Sequence, residues 1–431
     1  MEQIFGMSYP VCVIMIRIKR YREDDVFVAA QKRIKLIFDN FEKIYCAFSG
    51  GKDSTVLMHM VMDEAIRRSR VVGIMYIDFE AQYIDTISHI QKMFKIYKDH
   101  IDAHWICVPM LLRNALSNYE PQWIAWDPQK RDLWIRNKPI GAKTEKDYPF
   151  YSNDSPMEFE EFIVLFGNWY SENKPTAALI AIRADESLHR YCAVASWDKE
   201  GKMFQDKRWT AKQGNGFYNA YPIYDWKTED IWIYHAKFPN KIYNIVYDKM
   251  YMAGLTINQQ RLCQPYGDEQ KKGLWLYHIL EPDTWGKLVA RVNGANSGAL
   301  YIQETGNMTG YGKIIKPDNH TWESYTNLLL KTMPPKTRAH YLNRFEKWFH
   351  GWHKRGYEII PDEAPRELEA KQWVPSWRRV CRTILRNDFW CKGLGQTQPK
   401  SEAYQKFKEL KRIKKQEKQK RNLQQKELFQ V

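Results

Sequence analysis

Six residues leave this chain little conformational choice: Ser49-Gly50-Gly51-Lys52-Asp53-Ser54. They follow the apolar run Ile44-Tyr45-Cys46-Ala47-Phe48 and precede a helical pattern from Thr55 to Arg67. A short apolar run bounded by a glycine turn suits a buried parallel strand. Two consecutive glycines permit the positive φ of a tight turn and let the backbone approach an anion with no Cβ in the way. The helix that follows directs unpaired N–H groups and the positive end of its dipole at the same spot. Lys52 adds a full charge, and Ser49 and Ser54 add hydroxyls. Asp53 would repel an anion, but makes sense as a carboxylate that holds Mg²⁺. A Gly-Gly turn capped by Asp and Ser is the plainer alternative. The order strand, loop, helix favours a phosphate cradle.

The flanking pattern predicts the fold. Phe27 to Phe41 and Ile84 to Tyr97 have helical spacing, while Val71 to Ile77, Trp105 to Val108 and Ala177 to Ile182 read as strands. Strands alternating with helices predict an α/β fold, a doubly wound and mostly parallel sheet. Ligands of such sheets bind beyond the carboxyl ends of the strands, where Ser49 and Asp78 fall. Residues 113–160 are rich in Trp, Pro and Asp and read as an insertion over the sheet. The chain divides into an N-terminal segment (1–24), an α/β domain that carries the glycine loop (25–260), a helical, aromatic and basic C-terminal domain (261–399) and a basic tail (400–431).

Composition narrows the partners. The 431 residues are 44% hydrophobic and carry a net charge of +15, which allows a packed core and favours contact with polyanions. The tail from Lys400 holds eleven basic and four acidic residues, so a solvated helix or disorder is expected there. The seven cysteines form no Cys-x-x-Cys pair, a pattern that suits free thiols in a reducing cytoplasm. The apolar stretch from Pro10 to Ile18 is far short of the roughly 20 residues that span a bilayer. No membrane association or targeting signal is expected, and the protein is read as cytoplasmic.

The loop matches the Ser-Gly-Gly-x-Asp-Ser motif and so resembles the PP-loop superfamily (adenine nucleotide alpha hydrolase-like), which includes ATP pyrophosphatases and phosphoadenosine phosphosulfate (PAPS) reductases. Three further blocks follow in family order. Ile77-Asp78-Phe79-Glu80 resembles the acidic segment near the nucleotide. Ile182-Arg183-Ala184-Asp185-Glu186-Ser187 with Arg190 resembles the reductase segment Gly-x-Arg-x-x-Glu-Ser-x-x-Arg. Tyr221-Pro222-Ile223-Tyr224-Asp225-Trp226, with Thr228, Asp230 and Trp232, resembles Pro-Leu-x-Asp-Trp-Thr-x-x-Asp-Val-Trp. Within the superfamily the chain resembles in particular IbrA-type prophage co-activators. Arg261 to Gly267, Gly273 to His278 and Pro375 to Cys381 extend that likeness into the C-terminal domain.

The resemblance implies ATP or PAPS as ligand, Mg²⁺, and a companion protein with a ParB-like fold. It implies nucleotide contacts from Ser49, Gly50, Gly51, Lys52, Asp53, Ser54, Asp78, Phe79, Glu80, Arg183, Glu186 and Ser187. The reductases' Glu-Cys-Gly segment is missing here and Cys391 is followed by Lys392-Gly393, so thiol reductase chemistry is placed in doubt. No iron–sulfur cluster is expected, since no cysteine spacing suits one.

Several residues carry two readings. Arg183 and Arg190 suit bidentate contact with phosphate or sulfate, or pairing with Asp185 and Glu186. Asp225 and Asp230 suit a functional role, or positioning an arginine and capping a helix near Thr228. Cys263 beside Arg261 suits an activated thiol, or an inert buried one. In the C-terminal domain, Trp348, Phe349, Trp352, Trp373, Trp377 and Trp390 alternate with Lys and Arg. Such a pattern suits base stacking beside phosphate contacts in a nucleic-acid surface, or a helix core with a wet basic side. The expected activity is cleavage of ATP between the α and β phosphates, with Lys52, Asp53, Arg183 and Arg190 acting at the reacting groups and an acceptor adenylated. Sulfur transfer is one use of such an intermediate. The alternatives are a PAPS-type reductase and a nucleotide-sensing regulator that works with a ParB-like partner or DNA.

Overall fold

A computed structural model describes residues 23–117, 119–151, 156–195, 202–213, 216–268, 273–295, 314 and 316–397. The expectations for the N-terminal segment through residue 22 and for the basic tail lie outside the described residues.

Helix α1 (Val26–Asn40) opens on Asp25, whose carboxylate accepts the Val28 N–H at 2.8 Å. It buries Ala30, Ile34, Ile37 and Phe38, one stripe at the spacing of a single helix face. Strand β1 (Lys43–Ala47) leads into α2 (Lys52–Arg67), β2 (Val72–Ile77), α3 (Ile84–Ile96) and β3 (Ile101–Ile106). Helix α2 is buried on almost every side from Lys52 to Met62, as its apolar circumference predicts. Three short strands, β4 (Met110–Arg113), β5 (Gln122–Ala125) and β6 (Met157–Glu158), form a separate sheet in the order β5-β4-β6. The main sheet resumes after α4 (Phe159–Ser171) with β7 (Thr176–Ile180), α5 (Leu188–Ala195) and the hairpin of β8 (Thr210–Gln213) and β9 (Phe217–Ala220). Helices α6 (Thr228–Lys237) and α7 (Val246–Met252) follow.

The main sheet has the order β3-β2-β1-β7-β9-β8, parallel throughout except for the antiparallel edge pair β8–β9. From β1 the chain winds outward through β2 and β3 on one side and returns through β7 and β9 on the other. The loop after β1 therefore lies at the point where the winding reverses, the place where such sheets leave a crevice.

The strand limits differ from the sequence reading where polarity hides them. Strand β3 begins at Ile101, because Asp102 and Ala103 face outward and break the apolar run. Strand β7 stops at Ile180, where the Ile182 N–H turns back to the Ile180 carbonyl at 2.9 Å. The insertion contributes strands β5 and β6 besides turns.

The C-terminal part is helical: α8 (Trp275–Leu280), α9 (Pro282–Arg291), α10 (Trp322–Thr332), α11 (Pro335–His353), α12 (Arg366–Ala370) and α13 (Trp377–Leu385). The sheet's apolar core runs on through Tyr266, Leu276, Tyr277, Leu288 and Val292. A second core forms around Tyr341, Phe345, Trp348, Trp352, Val380 and Ile384. Trp348, Trp352 and Trp390 are buried, Phe349 and Trp377 pack partly buried on the second core, and Trp373 is exposed. Of the aromatics that the sequence offers for base stacking, the helix-core reading therefore accounts for all but Trp373. Along α11 the spacing of Tyr341, Phe345, Trp348 and Trp352 puts these rings on one buried face, while Trp377 belongs to α13 and Trp390 to the turn after it.

Candidate functional site

The loop after β1 is built around Gly50. Its φ of +73° is left-handed, and a Cβ there would lie 3.0 Å from Thr86 Cγ2 and 3.1 Å from Ile90 Cδ1. Only glycine suits both demands. Asn244, fully buried, fixes the turn by donating to the Gly50 carbonyl at 3.1 Å and to Thr86 Oγ1 at 2.9 Å. Ser54 Oγ donates to the Gly51 carbonyl at 3.1 Å, accepts the Ser49 N–H at 3.2 Å and meets Ser49 Oγ at 3.0 Å. The two serines thus brace the loop from within. Gly51 is the N-cap of α2 and offers no side chain, so the first-turn amides of Asp53 and Ser54 have no intrahelical acceptor.

Lys52 stands at this helix start and is only 7% exposed. Its Nζ donates to the Gln260 carbonyl at 3.0 Å, and its backbone N–H donates to the Tyr247 hydroxyl at 2.9 Å. Burial lowers the Lys52 ammonium below the ordinary lysine range. Arg183 and Arg261 add to that effect, and Asp53 and Glu186 oppose it. Arg183, 2% exposed, bridges two carboxylates: its Nε donates to Asp53 and one terminal nitrogen to Asp185, each at 2.8 Å. Arg190 pairs with Glu186 at 2.8 Å. The pairing alternative read from the sequence therefore holds for both arginines.

Beside these residues lies a cavity of about 470 Å³. Lys52, Arg183, Lys227 and Arg261 line it together with Asp185, Glu186 and Glu229. Of the loop only Lys52, the first residue of α2, is in the lining; Ser49, Gly50, Gly51, Asp53 and Ser54 are not. Four cations meet three carboxylates there beside a helix N-terminus, a setting that can receive an anion. Its volume is within the roughly 300–1,000 Å³ common to small-molecule sites.

Other candidates from the sequence lie elsewhere. Asp78 is buried and ion-paired with Arg136, accepts Trp105 Nε1 at 2.8 Å and the Glu80 N–H at 3.0 Å. Glu80 is fully buried; it binds Arg291 at 2.7 Å and the Trp126 and Ile135 amides at 2.7 and 3.2 Å. Both carboxylates thus fasten the insertion and α9 to the sheet and do not line the cavity. Phe79 packs on Phe159 with ring centres 5.8 Å apart. Ser187 Oγ caps the Arg190 N–H at 3.3 Å. Asp225 positions Arg33 through bonds of 2.8 and 2.6 Å, and Asp230 caps α6 at the Lys227 N–H, 2.7 Å away.

Cys263 is exposed, against the inert buried reading, while Cys46, Cys107, Cys381 and Cys391 are buried. Among the described residues, no group of three or more His, Cys, Asp and Glu is arranged to hold a metal ion. No described helix is long and apolar enough to cross a membrane.

The sequence reading missed Tyr247, Gln260, Lys227, Glu229, Asn258 and Asn244. Lys227 lies between the flagged Asp225 and Asp230, so its signal was present. Tyr247 and Gln260 reach the loop only through tertiary packing.

Residues 43–254 match the phosphoadenosine phosphosulfate reductase domain, and residues 254–373 and 357–405 match a domain of unknown function, DUF3440. The uncharacterized protein YbdN of Escherichia coli K12 is 38% identical over 395 residues, covering 91% of this chain and 96% of that protein. Among solved structures, a phosphoadenylyl-sulfate (PAPS) reductase from Candida auris, in a phosphate complex, is 13% identical. The match covers 52% of this chain and 85% of that one with a TM-score of 0.28. The FMN adenylyltransferase of Candida glabrata, in complex with FMN and an ATP analogue, is 14% identical, covering 50% and 58% with a TM-score of 0.25. Residues 43–254 of this chain thus match the phosphoadenosine phosphosulfate reductase domain, and the chain as a whole belongs to the same family as YbdN.

Proposed function

We propose that this protein binds ATP in the cavity at Lys52 and cleaves it between the α and β phosphates, releasing pyrophosphate and adenylating an acceptor. The observation that carries this reading is the convergence of Lys52, Arg183 and Arg261 on one cavity at the N-terminus of α2. In it, the amides of the first turn and Lys52 take the departing pyrophosphate, and Arg183 balances charge on the phosphate that stays with the adenosine. Catalysis of this kind is electrostatic positioning by preorganised donors. Arg190 would act through Glu186, which it holds. Mg²⁺ is commonly bound by one or two carboxylates plus phosphate oxygens. One Asp53 oxygen is taken by Arg183 and the other makes no hydrogen bond among the described residues, so Asp53 fits as its protein ligand. The ion would there offset charge on the phosphates. Incubation with α-labelled ATP and magnesium is expected to yield AMP and pyrophosphate. ADP with orthophosphate as the only products would reject the mechanism.

The exposed Cys263, two residues from the cavity residue Arg261, supports a second reading as a PAPS-type reductase. The Cys263 thiolate would attack the sulfur of PAPS, expelling adenosine 3′,5′-bisphosphate, and an external dithiol would then release sulfite and itself be oxidised. Sulfite release from PAPS with a dithiol donor, lost in Cys263→Ser, would select this reading. Sulfur transfer after adenylation extends the first reading, whereas nucleotide sensing with little turnover, acting through a ParB-like partner or DNA, is an alternative to it. Their support is the sequence resemblance and the basic charge.

A further inference from the structure

The C-terminal helical part holds a second cavity, of about 500 Å³, between α12, α13 and the turn from Arg386 to Gly393. Its charge is not balanced. Of the carboxylates in its lining, Glu369 accepts from Arg378 Nε at 3.0 Å and from Ser376. Asp388 accepts the Lys392 and Gly393 amides at 3.0 and 2.7 Å, and Asp268 faces Arg113 at 3.8 Å. Arg379 is likewise engaged, by the Val374 and Gly393 carbonyls at 2.7 and 3.2 Å.

Four cations of the lining are left over. Arg366, Arg382, Arg386 and Lys392 make no side-chain hydrogen bond or ion pair among the described residues, and Arg386 Nε is buried without a partner. A buried donor left unpaired in this way is costly unless a ligand satisfies it. Burial first, and then the adjacent Arg386, hold Arg382 below the ordinary arginine range. Arg378 and Arg366 add to this and Glu369 opposes it. Like charges gathered around one cavity repel each other, and an anion seated among them removes that repulsion.

We propose that this cavity binds the pyrophosphate group of a small ligand, through Arg382 and Arg386 with Arg366 and Lys392 at its rim. Guanidinium groups match phosphate oxygens in pairs, so two arginines suit two linked phosphates. Four uncompensated positive charges also correspond to a diphosphate better than to a single phosphate. A nucleic-acid backbone spaces its charges along a line, whereas these cations surround one cavity. The site is separate from the loop at Lys52, and the inference does not depend on the activity proposed there.

The test uses the full chain with Lys52→Ala to weaken the loop site, titrated with inorganic pyrophosphate by calorimetry at constant ionic strength. Binding is expected to remain, and to weaken by about tenfold or more when Arg382→Ala and Arg386→Ala are added, as loss of charge-assisted bonds predicts. An isotherm unchanged by those substitutions, or no binding in Lys52→Ala, overturns the proposal. Should the double substitution lower the melting temperature, the exposed pair Arg366→Ala and Lys392→Ala decides instead. A weakening of about threefold or more upholds the site, and no change overturns it. A single-stranded oligonucleotide forms a second arm. Binding that requires Arg382 and Arg386 but is not displaced by pyrophosphate would assign the cavity to nucleic acid and overturn the small-ligand proposal.

Discussion

The Tyr247 hydroxyl accepts the backbone N–H of Lys52 at 2.9 Å, so a side chain from α7 occupies one of the helix-start donors in the glycine loop after β1. Tyr247 is buried, and its own hydroxyl proton meets no acceptor among the described residues. A phosphate seated against the helix start would give that proton an acceptor while the hydroxyl still braces the loop. Tyr247→Phe is expected to weaken ATP binding about five- to tenfold and to cost about 1 kcal/mol of stability, the value of one lost hydrogen bond. Calorimetric titration and a denaturant melt measure the two separately. Unchanged affinity with lowered stability would mean that the hydroxyl only supports the loop.

Arg183 and Arg190 come from one sequence block, yet the structure gives them unequal positions. Arg183 is buried between Asp53 and Asp185, whereas the Arg190 side chain is 40% exposed and bound to Glu186 alone. Arg183→Met is expected to reduce AMP formation about 100-fold or more, the scale seen when one preorganised charge donor is removed. Arg190→Ala should cost about tenfold or less, since a surface pair is worth roughly 0–1 kcal/mol. Arg183→Lys is not expected to rescue, because a single ammonium does not reproduce the two-sided fork. Steady-state release of AMP from labelled ATP checks all three, and equal losses would contradict the ranking.

How much of this was legible in the sequence depends on range. The loop, its strand and its helix follow from contiguous residues, because apolar run, Gly-Gly and helical spacing act locally. The role of Asp78 and Glu80 was not legible. Their acidic character suggested the nucleotide, but the partners that claim them, Arg136 and Arg291, come from 58 and 211 residues away in sequence. A buried carboxylate needs a cation, and no local pattern says which one arrives. The same holds for Tyr247 and Gln260, which close over Lys52 only after α7 has packed.

Glu80 and Arg291 give a direct measure of that long-range fastening. Their side chains are 0% and 1% exposed and meet at 2.7 Å, with Glu80 also holding two backbone amides of the insertion. Glu80→Gln or Arg291→Met is expected to destabilise the sheet domain by about 3–5 kcal/mol, because each leaves a buried charge unpaired. Replacing both by apolar residues should recover part of the loss. Limited proteolysis and thermal melting of the two single variants and the double variant test this. A double variant as unstable as the sum of the singles would show that the pair is not coupled.

His59 makes the fold sensitive to acid. It is buried, with Nδ1 2.6 Å from the Tyr97 hydroxyl and Nε2 2.7 Å from the Ile242 carbonyl. A neutral ring satisfies both contacts, donating from Nε2 and accepting at Nδ1. A second proton would oppose the Tyr97 donor and place a charge in the core. Burial is the largest cause that lowers His59 to about 4, and His89, buried nearby, is lowered to about 3. In the unfolded chain both titrate near 6.5. As pH falls below that value the unfolded state takes up protons that the folded state does not, so stability is fully present above about 6.5 and declines towards about 4. The loss due to His59 should reach roughly 2–3 kcal/mol by pH 4. Denaturant melts at pH 7 and pH 4.5 are expected to show the decline, and His59→Gln should flatten it while lowering stability at pH 7. A wild-type melt that does not change between those pH values would mean that the unfolded chain protonates no more readily than the buried ring.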